Sequence, residues 1–303
     1  VLTDFITANP SMKKYFDVHR NLSDELGEGL FHGTHVAGLM VYDEPRLGLL
    51  AYRALPARVT YMQTTGQMRV QDPKGDLIKA VQQAVADGAR VVNMSLALSI
   101  PKDLEQQNPV EYQNTLILMQ QIKAFAIANP QVAFIAASGN EGTWIDDRAR
   151  QSIPCGVDAK NILCVGALSQ DGYIASFSNI VLPDFPFLLA PGDEILSTFP
   201  SQFCNLDYEL LGMMLSPQMS FLMQNADQKN YFYSQIVQTC QSQTGFIASS
   251  GTSMATPIAA RMIGKILLDN PKLSGVEAVQ KLLDSTVELK VGKMSMRKLL
   301  IEK

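Results

Sequence analysis

The strongest constraint on this 303-residue chain is an alternation of amphipathic stripes with short, unbroken apolar runs. Residues 76–88 (DLIKAVQQAVADG) place Leu77, Val81, Ala84 and Val85 on one helical stripe, with Asp76 set to cap the start and Gly88 to end it. RVVNMSL follows, continuous and apolar, as expected of a strand buried on both faces. Residues 111–128 repeat the scheme with Leu118, Ile122 and Phe125 inward. Asn129-Pro130 stops that helix, and VAFIAA and then ILCVGA (162–167) read as the next strands. Helices alternating with such strands predict an α/β fold in which a mostly parallel sheet is covered on both faces, giving three layers. In the tail, TPIAARMIGKILLDN reads as a helix beginning just after Ser253, with Pro257 in a first turn that has no use for its N–H. SGVE at 274–277 reads as a capping box for the helix AVQKLLD.

This length fits one large α/β domain or two small ones, and readily buries a core. A net charge of −4 gives no basic footprint for nucleic acid. No apolar run approaches the roughly 18 residues of a membrane helix. The chain opens with VLTDF, which reads as already inside a strand; a trimmed or processed domain without a signal peptide is expected. Cys155, Cys164, Cys204 and Cys240 allow three pairings, or four buried thiols in a reducing compartment. The favoured reading pairs Cys204 with Cys240 as a clip on an inserted loop and Cys155 with Cys164 across a turn. That reading implies an oxidising, extracytoplasmic location, secreted or periplasmic. Residues 201 to about 245 break the helix–strand rhythm. They are rich in Met, Gln, Tyr and Asn, with Met213, Met214, Met219 and Met223 close together. They read as a helical excursion packed on the domain or as a wall near a functional cleft.

Two small-residue turns carry the chemistry. Serine is a poor nucleophile near neutral pH until a base removes its proton and a carboxylate orients that base. Ser253 lies in ASSGTSMATP at the mouth of a predicted helix, where its own N–H can face a developing oxyanion. Read alone, it is better taken as an N-cap serine with a structural job. Two of the three histidines fall in HGTHVAG. His32 is expected to face the cleft, His35 to be a core or supporting residue, and His19 to be solvated. Asn140 ends VAFIAASGN at the carboxyl end of a strand, where open α/β sheets bind ligands, and its amide can supply a second oxyanion donor. The other reading of Asn140 is an ordinary Asn-Glu-Gly turn. Asp4, after the apolar VLT, is the preferred carboxylate, with Asp17 and Asp24 as competitors.

Together these segments resemble the subtilisin-like serine proteases. HGTHVAG is similar to that family's histidine motif, SGTSMATP to its nucleophile motif and ASGNEG to its oxyanion-asparagine motif, in the family's order Asp, His, Asn, Ser. The likeness extends through AVADGARVVNMSL, ILCVGAL, IASFSN, LLAPGDEILST and the terminal helices. It implies a subtilisin-like three-layer α/β/α catalytic domain over 1–303, with an atypical insertion at about 201–245. It also implies a serine endopeptidase using Asp4, His32 and Ser253 as a triad and Asn140 in the oxyanion hole. By the same resemblance, Ser95, Leu96 and Ala97 pair with substrate backbone, while Ala137, Ser138 and Gly139 wall the pocket beside the scissile bond. Expected partners are polypeptide substrates, with a propeptide or protein inhibitor as another occupant of the cleft. Family members often bind structural calcium, but no acidic cluster here is spaced like a calcium loop, so no metal or cofactor is expected. Three departures stand out: Asp4-Phe5-Ile6 where the family has Asp-Ser-Gly or Asp-Thr-Gly, Ala97 where it has Gly, and the insertion. The alternatives are an inactive or lid-blocked homologue acting as a binding module, and an esterase. The esterase elbow calls for Gly-x-Ser-x-Gly, whereas Ala255 fills the last position here.

Overall fold

The structure is a computed structural model that describes residues 29–52, 54, 59–62, 67–70, 73–101, 103–145, 152–181, 185–200, 204, 238–242, 244–291 and 294–299. Asp4, Asp17, His19, Asp24 and the methionines of the 201–245 segment lie outside the described residues. The chain divides into two compact units. The smaller comprises Val1–Thr34, Leu55–Pro73 and Phe199–Gly245. It contains an antiparallel hairpin, Val59–Met62 with Gln67–Val70, and the Cys204–Cys240 disulfide.

The larger unit is built on a six-stranded sheet. Its elements, in chain order, begin with helix α1 (Gly29–Val41), whose first turns belong to the smaller unit, followed by helix α2 (Pro73–Ala86) and strand β1 (Val91–Met94). Helix α3 (Pro109–Ala128) and strands β2 (Ala133–Ala137), β3 (Ile162–Leu168) and β4 (Phe187–Pro191) continue the alternation. A separate antiparallel pair, β5 (Ile195–Thr198) and β6 (Phe246–Ser249), precedes helices α4 (Thr252–Asp269) and α5 (Gly275–Asp284). The hairpin β7 (Val287–Val291) and β8 (Met294–Lys298) ends the set. The sheet runs β7-β8-β4-β3-β2-β1, parallel throughout except that β7 is antiparallel to β8.

The layers follow from side-chain alternation. Along β2, Phe134 and Ala136 join Leu77, Leu118 and Ile122 in one core, on the side of α2 and α3. Ala133 and Ile135 join Val36, Ile258, Ile263 and Leu282 in the other, on the side of α1, α4 and α5. Every residue of β2 and β3 is buried. The fold is therefore a three-layer α/β/α arrangement with a mostly parallel central sheet.

Three local expectations need correction. The α2 helix starts at Pro73, so Asp76 falls inside its first turn and does not cap it. Strand β1 alternates: Val92 and Met94 are buried while Val91 and Asn93 are half-buried, because β1 is an edge strand of the sheet among the described residues. Helix α4 begins at Thr252, ahead of Ser253, which moves Pro257 to its sixth residue, beyond the first turn.

Other junctions match their sequence signals. Gly88 ends α2 with φ +91°, its N–H donating to Val85 and the Ala89 N–H to Ala84. The Asn108 side chain accepts from the Glu111 N–H at 3.1 Å, ahead of Pro109 at the start of α3. Ser274 and Glu277 form the reciprocal capping box. Buried Asn161 donates through its amide to the carbonyls of Ala126, Asn129 and Val132, which fastens the end of α3 to the start of β2. Cys155 and Cys164 form a second disulfide, fully buried in the larger unit.

Candidate active site

Parallel strands β1 and β2 end side by side, and the chain beyond them carries Ser95 after β1 and Ser138, Gly139 and Asn140 after β2. The start of α4 meets both. Gly251 immediately precedes that helix at φ +154°, ψ 158°, a region essentially reserved for glycine. Its N–H donates to the Gly192 carbonyl at 2.7 Å, which pins the helix start to the loop after β4.

Thr252 then sets the orientation of Asn140. The Thr252 N–H and hydroxyl donate to Asn140 Oδ1 at 2.9 and 3.0 Å, and Thr252 Oγ1 accepts from the Gly139 N–H at 3.2 Å. With Oδ1 taken by two donors, the amide orientation is fixed and the exposed residue offers its NH₂. Asn179 braces the same loop. Its Oδ1 accepts from the Thr143 N–H and hydroxyl at 2.9 and 3.1 Å, while its amide donates to the Ser138 carbonyl at 3.1 Å and to Glu141 Oε2. The Ser138 hydroxyl returns a bond to the Asn179 carbonyl at 2.9 Å.

Ser253 follows Thr252 and is half-buried. The Thr252 N–H goes to Asn140 and the Met254 N–H to the Gly251 carbonyl at 3.0 Å. The Ser253 N–H has no acceptor among the described residues. At a helix N-terminus this is a donor for developing negative charge. The Ser253 hydroxyl donates to the Ser95 carbonyl at 3.2 Å.

The larger unit thus gathers Ser253, Asn140 and Ser95, and carries Leu96, Ala97, Ala137, Ser138 and Gly139 on the adjoining segments. Ala137 and Ser138 are fully buried, whereas Ser95, Leu96 and Ala97 are half-buried. His32 is half-buried on α1, in the part that belongs to the smaller unit. One turn further on, His35 is completely buried, and its Nε2–H is directed at the Ile195 and Ile247 carbonyls at 3.0 and 3.1 Å. Burial holds its pKa below the ordinary 6.5, against the opposing pull of those two carbonyls. His35 is a core histidine, as its sequence position suggested. Among the described residues, no group of three or more His, Cys, Asp or Glu side chains is placed to hold a metal ion. Thr252 and Asn179 were not singled out by sequence reasoning. Thr252 lay inside a quoted motif, but Asn179 acts across 36 to 41 residues of chain that no local pattern spans.

A serine at a helix start and an amide held donor-outward lie together where strand ends converge, the usual position of a ligand site in an open α/β sheet. The model of the subtilase family of peptidases matches residues 6–298, and the chain belongs to that family of subtilisin-like serine proteases. Solved structures share the fold. A lanthipeptide protease is 21% identical with a TM-score of 0.56, covering 86% of this chain and 69% of its own. A cold-adapted subtilisin-like serine proteinase is 20% identical with a TM-score of 0.53, over 90% of this chain and 76% of its own. The patellamide maturation protease PatA is 22% identical with a TM-score of 0.51, over 86% and 75%. No curated protein matches the chain.

Proposed function

We propose that this chain is a serine endopeptidase that cleaves polypeptides through an acyl-enzyme. Ser253 attacks the scissile carbonyl, and His32 takes the hydroxyl proton and later delivers it to the leaving amine. Asp4 holds the imidazole in its productive tautomer and stabilises the imidazolium. The Asn140 amide and the Ser253 N–H receive the oxyanion. Ser95, Leu96 and Ala97 align substrate backbone, and Ala137, Ser138 and Gly139 wall the pocket next to the cleaved bond. The observation that carries this reading is the pair of donors flanking one serine: an amide whose oxygen is already spent on Thr252, and a helix-start N–H with no acceptor among the described residues.

The two disulfides support an extracytoplasmic location. A propeptide or protein inhibitor would occupy the same cleft as substrate. Treatment with a fluorophosphonate followed by peptide mapping should place the adduct on Ser253, and Ser253→Ala should fold but lose turnover by orders of magnitude. Undiminished turnover in that variant would dispose of the assignment. A chain whose Ser253 stays unlabelled would be a binding module that kept the cleft.

A further inference from the structure

Helix α4 carries an irregularity where the chemistry is read to occur. Pro257 stands four residues after Ser253 and has no N–H, so the Ser253 carbonyl loses the partner a regular helix would give it. Ser95 takes that place. Its hydroxyl donates to the Ser253 carbonyl at 2.8 Å, and its own carbonyl accepts from the Ser253 hydroxyl at 3.2 Å. Because the Ser95 proton is committed to Ser253, Ser95 Oγ can receive a further donor, and the Asn93 amide supplies it at 3.0 Å. This also fixes the Asn93 orientation, and leaves its buried Oδ1 with no partner among the described residues. An unsatisfied buried oxygen is costly, and it is tolerated here in a half-buried strand residue directly before Met94.

We infer that Ser95, oriented by Asn93, is a positioning residue for the nucleophile, and that Pro257 creates the need for it. The inference rests on the reading of Ser253 as nucleophile. One residue, Ser253, carries both the attacking oxygen and the helix-start oxyanion donor. Holding its carbonyl fixes the peptide plane after it, and with that the backbone from which both groups project. The same hydroxyl ties the segment beginning at Ser95 to the helix. Any backbone it aligns is therefore registered against Ser253 through a single side chain. A role confined to substrate affinity would raise KM. A positioning role lowers kcat and the rate of covalent labelling with KM little changed.

The experiment is a double-mutant cycle over Ser95→Ala and Pro257→Ala, using the whole chain. It reads fluorophosphonate labelling at Ser253, kcat and KM on a peptide substrate, and the melting temperature. Ser95→Ala should slow labelling and kcat at least about tenfold in the native background. With Pro257→Ala, residue 257 regains an N–H that can satisfy the Ser253 carbonyl, and the added Ser95→Ala should change labelling less than about threefold. Equal losses in both backgrounds, or a Ser95→Ala chain that labels like the parent, would overturn the inference while leaving the nucleophile intact. A parent chain unlabelled at Ser253 would remove the nucleophile reading and this inference with it. If Ser95→Ala alone does not fold, the pair sharing Pro257→Ala decides: near-equal labelling upholds the coupling, and an unfolded or unlabelled double variant overturns it.

Discussion

At the scale of single residues, the site depends on which end of the Asn140 amide faces outward. Thr252 decides this by filling Oδ1 with two donors. With Asn140 in the oxyanion role proposed above, Asn140→Ala should lower kcat about 10²–10³-fold with little change in KM, the size of loss that follows removal of the asparagine oxyanion donor from subtilisin. Steady-state kinetics on one peptide substrate measures it. His35 supplies a pH prediction. Its folded-state pKa lies below 6.5, so below that value the unfolded chain binds a proton that the folded chain resists. The associated stability is complete above about pH 6.5 and is lost as pH falls toward the lowered value. Melting temperatures between pH 7.5 and 5 should drop more steeply in the native chain than in His35→Gln. Sequence reading singled out Ser253 and Asn140, whose segments meet at the start of α4, and read His35 as a core residue, which its burial matches. It did not expose Thr252 or Asn179 as orienting residues, since their partners are far away in the chain.

At the scale of elements, two glycines do what no larger residue can. Gly251 holds φ +154° at the start of α4. Gly251→Ala should cost about 1–3 kcal/mol of unfolding free energy in a denaturant titration. At Gly275, in the first turn of α5, an added Cβ would run into the Val132 carbonyl group and the Ala133 nitrogen, which are main chain and cannot swing aside. The Val276 N–H donates to the Pro130 carbonyl at 3.2 Å, so this helix start is tied to the entry of β2. Gly275→Ala should be the more damaging of the two, and should lower the denaturant midpoint further than Ser274→Ala, which removes a cap worth about 1 kcal/mol. The sequence showed the SGVE cap but not this close approach, because capping is local whereas the obstacle comes from a strand more than 130 residues earlier. Helix and strand order was readable from periodicity, but helix starts were not. Pro73 opens α2 ahead of the apolar stripe, and α4 opens at Thr252, four residues before the segment read as its start at Thr256.

At the scale of the whole molecule, the two disulfides differ in exposure. Cys155 and Cys164 are 1% and 0% exposed, while Cys204 and Cys240 are half-buried. Mild reduction of the native protein followed by alkylation and mass spectrometry should modify Cys204 and Cys240 well before Cys155 and Cys164. Equal labelling of all four would show that the larger unit opens under those conditions. The sheet has a further consequence for how the chain is made. Strand β4 is flanked on one side by β3 and on the other by β8, which is synthesised only after β5, β6, α4 and α5. A nascent chain thus carries a bare, fully apolar ribbon edge through a long stretch of its own production, a template for pairing with a neighbour on the same message. The closing hairpin acts as the zip on that seam, and a chain halted at residue 286 should sediment as aggregate where the longer one stays in solution.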